Sequence, residues 1–249
     1  MSHNAPELLA DEPDLSRFAT VRSWIFDLDN TLYPRHTNLF AQVDVRIRDY
    51  VQRLLDLPPE DAQVLQRDYY RRYGTTLRGL MVEHGITPDD FLDYVHDIDH
   101  SPVAADPRLA SAITRLPGRR FIFTNGSRLH AEKVMARLGL GPDFEDIFDI
   151  VRADLLPKPH PDTYARFLAE SGVAPEGAAM FEDLARNLEV PKALGMATVL
   201  IVPRGTEEVL AETWETEGSE GAHIDYLTDD LGTFLTRIVD ALDGAPTRD

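Results

Sequence analysis

Four short stretches carry side chains that can do chemistry together. They are Asp27 and Asp29 in "FDLDNTLY", Thr124-Asn125-Gly126 in "FIFTNG", Lys158 in "LLPKPHP", and Glu182-Asp183 with Asn187 in "MFEDLARN". Brought to one point, they would make a pocket of at least three carboxylates, one ammonium, one hydroxyl and several backbone N–H groups. That set suits phosphoryl transfer. Clustered carboxylates repel one another and are best stabilised by a hard cation; oxygen ligands beside a phosphate favour Mg²⁺. Asp27, Asp29 and Asp183 are the expected ligands. Asp27 would attack phosphorus in line and form an aspartyl-phosphate. Asp29 would protonate the departing alkoxide and then act as base for the attacking water. Thr124 and the N–H groups of Asn125 and Gly126 would hold phosphate oxygens, and Lys158 would neutralise the charge shared by Asp27 and the phosphate.

Such groups need rigid placement, and the surrounding pattern supplies it. The run "VRSWIF" reads as a buried strand ending at Asp27. Residues 38–95 show helical periodicity, with Phe40, Val43, Ile47, Tyr50, Val51, Leu54 and Leu55 close to a 3.6-residue spacing. A second helix starts at "PPED" and stops at Gly74, and shorter ones are expected near 76–84 and 88–97. After "SPVAADP" the texture changes to short apolar runs alternating with helical segments: "RFIF", "DIFDIV", "AAMFED" and "MATVLIV" as strands, "HAEKVMARLG" and "PDTYARFLAESG" as helices. This alternation predicts an α/β fold, a Rossmann-like parallel sheet with helices on both faces. The core is expected over residues 20–35 and 103–243, with an all-helical insertion over 36–102 and tails at 1–19 and 244–249. In open parallel sheets ligands bind at the carboxyl ends of strands, where the four stretches fall. Pro191 should kink the helix after Asp183 or restart it near residue 190. The Glu-rich stretch 207–220 reads as a helix and an exposed loop.

Composition narrows the partners. The chain has 249 residues, 43% hydrophobic, with a formal net charge of -18 and no cysteine. So negative a surface repels polyanions and argues against nucleic acid or an anionic membrane. Absence of cysteine excludes disulfides, thiolate metal sites and a thiol nucleophile. No apolar run reaches about 18 residues, as a membrane-spanning helix requires. The first twenty residues lack a basic start followed by an apolar stretch, so no secretory leader and a cytoplasmic location are expected. The expected partner is a small phosphorylated metabolite.

Taken in order, "DLDNTLY", "TNG", "KP" and "EDLARN" resemble the four motifs of the haloacid dehalogenase-like hydrolase superfamily. The helical block resembles the cap inserted after the first motif. The resemblance covers nearly all of the chain beyond residue 20. Within the cap, "YYRRYGTTLRGLMVEHGI" is similar to the pyrimidine 5′-nucleotidase-like branch, as is "TNGSRLHAEKVMARLGL". It implies hydrolysis of a phosphate monoester, a nucleoside monophosphate such as UMP or CMP. Two departures stand out, Pro191 inside the helix expected after the fourth motif and Asn187. Asn187 replaces a second aspartate found in many relatives, and it can orient Asp183 or hold a water but carries no charge. Glu182 is placed to compensate. Blander readings compete. Ser127 can be a helix N-cap, Glu182 and Asp183 an acidic helix start, and Arg71 and Arg72 a solvated face. His130 can be a packing residue or a support behind a catalytic group. Tyr69, Tyr70 and Tyr73 can be cap core or can stack a base. Tyr73 and Arg78 are the expected selectors of the leaving group. A phosphomutase would use the same motifs and need a cap that grips a second phosphate. A dehalogenase would not need Asp29 or Asp183.

Overall fold

The structure is a computed structural model and describes residues 13–203 and 220–244. Most of the two expected tails and all but the end of the Glu-rich stretch lie outside the described residues. Residues 13–20 are not tail, however. A short 3₁₀ turn, Ser16–Thr20, sets Phe18 fully buried against Trp24, Tyr226 and Phe234. The sequence hint was a single aromatic in a polar context.

Six parallel strands form one sheet in the order β3-β2-β1-β4-β5-β6. They are β1 (Ser23–Phe26), β2 (Arg119–Phe123), β3 (Asp146–Phe148), β4 (Ala178–Glu182), β5 (Ala197–Ile201) and β6 (Tyr226–Thr228). β1, β4 and β5 are buried along their whole length, as strands covered on both faces must be. The pleat sends alternate residues to opposite faces. Trp24 and Phe26 join one apolar cluster with Ile122 and Phe181. Ile25 joins another with Phe121, Phe123 and Met180. Register pairs Phe26 with both Ile122 and Phe181, which brings the ends of β1, β2 and β4 to one edge.

Nine helices longer than a 3₁₀ turn occur among the described residues. α1 (Leu39–Leu55), α2 (Pro59–Tyr73), α3 (Thr76–His84) and α4 (Pro88–Val95) lie between β1 and β2 and pack a separate cluster around Val51, Tyr69, Leu80 and Phe91. α5 (Pro107–Arg115), α6 (Arg128–Leu138), α7 (Pro161–Ser171), α8 (Glu189–Ala193) and α9 (Leu231–Asp243) belong to the sheet's two faces. Pro191 sits inside α8, which starts afresh at Glu189 after a 3₁₀ turn, Ala185–Leu188. β6 and α9 lie in a stretch expected to be core but carried no distinct signal.

α2 and α3 touch closely through Gly79, where a Cβ would meet Tyr69 Cβ at 2.5 Å. Mid-helix glycine normally weakens a helix by about 1 kcal/mol relative to alanine. Here the overlap outweighs that gain. Gly79→Ala is expected to lower stability by about 1–3 kcal/mol, the usual range for overpacking. Urea unfolding measures it, and a gain in stability would refute the close approach.

Candidate active site

The edge where β1, β2 and β4 end faces a cavity of about 520 Å³ between the sheet and the helical insert. All the core residues singled out above line it: Asp27, Asp29, Thr124, Asn125, Gly126, Lys158, Glu182, Asp183 and Asn187.

Lys158 is at the centre and only 1% exposed. Its ammonium donates to Asp27 Oδ1 at 2.8 Å, to Glu182 Oε2 at 2.7 Å and to the Phe123 carbonyl at 2.8 Å. These use all three of its hydrogens. The Asn125 side chain fixes the lysine's backbone, accepting from Lys158 N–H at 2.8 Å and donating to its carbonyl at 3.3 Å. The Thr31 hydroxyl donates to Asp27 Oδ2 at 3.1 Å. Thr124 Oγ1 accepts from Gly126 N–H at 2.9 Å, so the loop is closed on itself and that N–H is already engaged rather than turned outward. Ser127 caps α6, accepting from His130 N–H.

Asp27, Glu182 and Asp183 offer carboxylate oxygens within 4.8 Å of one another. The Asp29 carboxylate, also expected as a ligand, is not in this group. Its Oδ1 accepts from the Tyr33 hydroxyl at 2.5 Å and lies 2.8 Å from His130 Nε2, and these contacts hold the side chain away. Glu182 Oε1 accepts from the N–H groups of Asp183 and Leu184, both at 3.2 Å. Asp183 Oδ2 accepts from Arg35 at 2.7 Å, a contact not anticipated from sequence. A lone arginine eight residues past Asp27 gives no signal of its own. The histidine contact was legible only as a support behind the aspartates.

The electrostatics follow from burial. Asp27 is pushed up to about 7 by burial and by the charge of Glu182, against the pull of Lys158. Glu182 is raised to about 7, again by burial first. Asp183 is raised to about 6 by burial and by Asp27, with Arg35 opposing. Burial alone would lower Lys158, but the two carboxylates outweigh it and hold the ammonium protonated. Burial also pushes Asp29 up, and His130 and Tyr33 together more than reverse this, so it stays ionised. Three carboxylates face two cations, Lys158 and Arg35. A divalent cation fits that excess negative charge, and Asn187, which lines the same cavity, has a buried Oδ1 with no hydrogen-bond partner among the described residues.

The insert supplies the opposite wall through Phe40, Gln66, Arg67, Tyr70, Thr75, Thr76 and Leu77. Tyr73 and Arg78 are not among the lining residues, contrary to expectation. α3 turns Leu77 and Leu80 inward, and Thr75 caps it by accepting from Arg78 N–H at 3.2 Å. Tyr73 is held on the outer side by Arg72 and Glu83. Arg72 pairs with Asp68 and Glu83 at the surface, and Arg71 is exposed. Tyr69 is core, its hydroxyl 2.7 Å from His84 Nε2. Tyr70 lines the cavity, with the Arg186 guanidinium 4.6 Å over its ring.

Known proteins share the sequence pattern and the fold. Phosphate metabolism protein 8 of Saccharomyces cerevisiae is 26% identical over 207 residues, 76% of this chain, and the match spans only 63% of that protein. L-2-haloacid dehalogenase from Xanthobacter autotrophicus has a similar fold, with a TM-score of 0.53 and 20% identity over 89% of this chain and 99% of that one. A HAD phosphatase from Thermococcus onnurineus gives 0.56 and 15% identity, over 88% and 98%. A magnesium-bound HAD hydrolase from Bacillus subtilis gives 0.52 and 15%, also over 88% and 98%. No described helix is long and apolar enough to cross a membrane. The model of the haloacid dehalogenase-like hydrolases matches residues 21–195, from β1 through the insert to the turn before β5, and the chain therefore belongs to that family of hydrolases.

Proposed function

We propose that the chain hydrolyses phosphate monoesters of small metabolites through an aspartyl-phosphate on Asp27, with a pyrimidine nucleoside monophosphate such as UMP or CMP as substrate. The arrangement of Lys158 between Asp27 and Glu182, with Asp29 held apart beside them, carries this reading. Asp27 attacks phosphorus as the bond to the leaving oxygen breaks, and Asp29, ionised at rest and protonated in the form that reacts, gives that oxygen a proton. Water then attacks phosphorus, Asp29 takes its proton, and the bond to Asp27 breaks. Lys158 pulls Asp27 towards its ionised form against burial and holds it in place. Thr124 and the Asn125 N–H bind phosphate oxygens, the Gly126 N–H being held by Thr124. Asp27 and Asp183 would hold Mg²⁺, with Glu182, tied to Lys158 and to two backbone N–H groups, behind them. When bound, the ion offsets phosphate charge that would otherwise repel Asp27.

The leaving group would lie against the insert, where Tyr70 offers a ring face and Gln66, Thr75 and Thr76 offer polar groups. A cavity of this volume is the size that small-molecule sites commonly have. The relative from Saccharomyces cerevisiae, named for phosphate metabolism, supports a phosphorylated substrate, and the magnesium-bound relative supports the ion. A dehalogenase reading leaves Asp29 and Asp183 without a task. A phosphomutase would reveal itself by needing a bisphosphate primer. The test is turnover over a panel of mononucleotides, sugar phosphates and 2-haloacids, with and without Mg²⁺. Release of halide without release of phosphate would refute the proposal.

Asp183→Ala is expected to remove Mg²⁺ binding in calorimetry and to lower turnover by about a thousandfold, matching several kcal/mol of charge stabilisation. Chelation of the intact protein should do the same to turnover. Unchanged Mg²⁺ affinity in the variant would exclude Asp183 as a ligand.

A further inference from the structure

Asp29 is gripped by one oxygen only. Tyr33 and His130 both meet Oδ1. Oδ2 faces the loop after β2, since a Cβ on Gly126 would stand 3.7 Å from it and 3.4 Å from His130 Cδ2. His130 is itself completely buried and enclosed by two further rings. His96 stacks on it with centroids 4.6 Å apart and planes 19° apart, and His100 Nε2 lies 3.3 Å from its Nδ1. Both rings belong to the segment that follows α4 and returns from the insert to the core. They are fixed in turn: His96 Nδ1 lies 3.0 Å from the Leu92 carbonyl, and His100 Nδ1 lies 3.1 Å from that of Ile98. A carbonyl only accepts, so each of these nitrogens donates, and neutral His100 presents Nε2 as acceptor to His130 Nδ1–H. Asp29 Oδ1 is an acceptor too, so His130 Nε2 also donates, and the ring carries a hydrogen on both nitrogens.

We propose that His130 is a positioning residue for the acid/base aspartate: anchoring Oδ1, it leaves Oδ2 as the oxygen that transfers the proton, and the return segment of the insert holds His130 in place through His96 and His100. This rests on the acid/base role given to Asp29 above. The consequence is that the insert acts on proton transfer as well as on the leaving group. Misplacement of a reacting group by about 1 Å is enough to lose about a hundredfold in rate.

The test separates the two half-reactions. p-Nitrophenyl phosphate has a weakly basic leaving group that departs without a proton, so its first step does not need Asp29 as acid. Hydrolysis of the phosphoenzyme does need Asp29 as base. His130→Phe keeps a ring between His96 and the core but removes the bond. With p-nitrophenyl phosphate it is expected to give a rapid burst of one nitrophenolate per active site, followed by steady-state turnover about a hundredfold below wild type. With an alkyl phosphate the burst itself should slow. His130→Gln, which can still donate to Asp29, should recover part of the loss, and His100→Phe should show the same pattern more weakly. Equal loss of burst and steady-state rates, or no loss of either, would overturn the proposal. Failure of a folded His130→Gln to differ from His130→Phe would do so as well. Wild-type protein that hydrolyses no phosphate ester would instead overturn the phosphatase reading, and this proposal with it.

Discussion

Asp27→Asn is expected to reduce phosphate-ester turnover to near background, a loss of many orders of magnitude, with the fold intact. The substitution keeps the size of the side chain and its place at the end of β1, but an amide cannot form the acyl-phosphate. Removing a nucleophile that acts with partner groups commonly costs about as much as removing the whole set. Stability should change far less. The Asp27 carboxylate is raised to about 7 by burial beside Glu182, so its charge is held at some expense of folding free energy. The amide removes that charge and leaves Lys158 with Glu182 as its ion partner. Two measurements check this: turnover, and mass spectrometry of protein quenched during turnover. Wild type should carry one added phosphoryl group and the variant none. A folded variant that still turns over substantially would exclude covalent catalysis at this residue.

Much of this site was legible in the sequence because each group stands at the end of an apolar run. Residues 23–26 and 178–182 are buried on both faces, so their strands had to be central, and the first polar residue after each had to fall at the sheet's edge. The alternation of strands and helices then made the sheet parallel. β6 and α9 lacked such a signal: β6 has three residues, one of them exposed, and α9 gains its place by packing on α5, far away in sequence. The insert was legible as helices but not as a wall. Tyr73, the last residue of α2, is tied to Arg72 and Glu83, and the rotation of α3 puts Leu77 rather than Arg78 on the cavity wall. That rotation was itself partly readable. Leu77 and Leu80 are three apart with Gly79 between, so Arg78 had to point elsewhere. Arg35 was out of reach altogether, because its partner Asp183 is 148 residues away and is met only once the insert has left the core.

Lys158→Met is expected to damage stability and catalysis for different reasons, and a second substitution separates them. The ammonium is the contact shared by two carboxylates that are themselves buried, Glu182 1% exposed and Asp27 6%. Methionine fills the volume but leaves those charges facing each other. Removing one partner of a buried ion pair typically costs about 3–5 kcal/mol, since the remaining charge is uncompensated. Denaturant unfolding should show a loss of that order at neutral pH. Adding Glu182→Gln removes one of the stranded charges, so Lys158→Met/Glu182→Gln is expected to regain most of the lost stability. It should not regain activity. Lys158 Nζ also lies beside Asp27 Oδ1, where it fixes the carboxylate for attack and offsets the charge that Asp27 shares with the phosphate, and deleting a fixed donor at such a point lowers turnover by about 10²–10³-fold. A double variant as stable as wild type and still inactive to that degree is the expected result. Wild-type stability in the single variant would show that the three groups do not share charge as their distances require. Recovered turnover in the double variant would place Lys158 outside the chemistry.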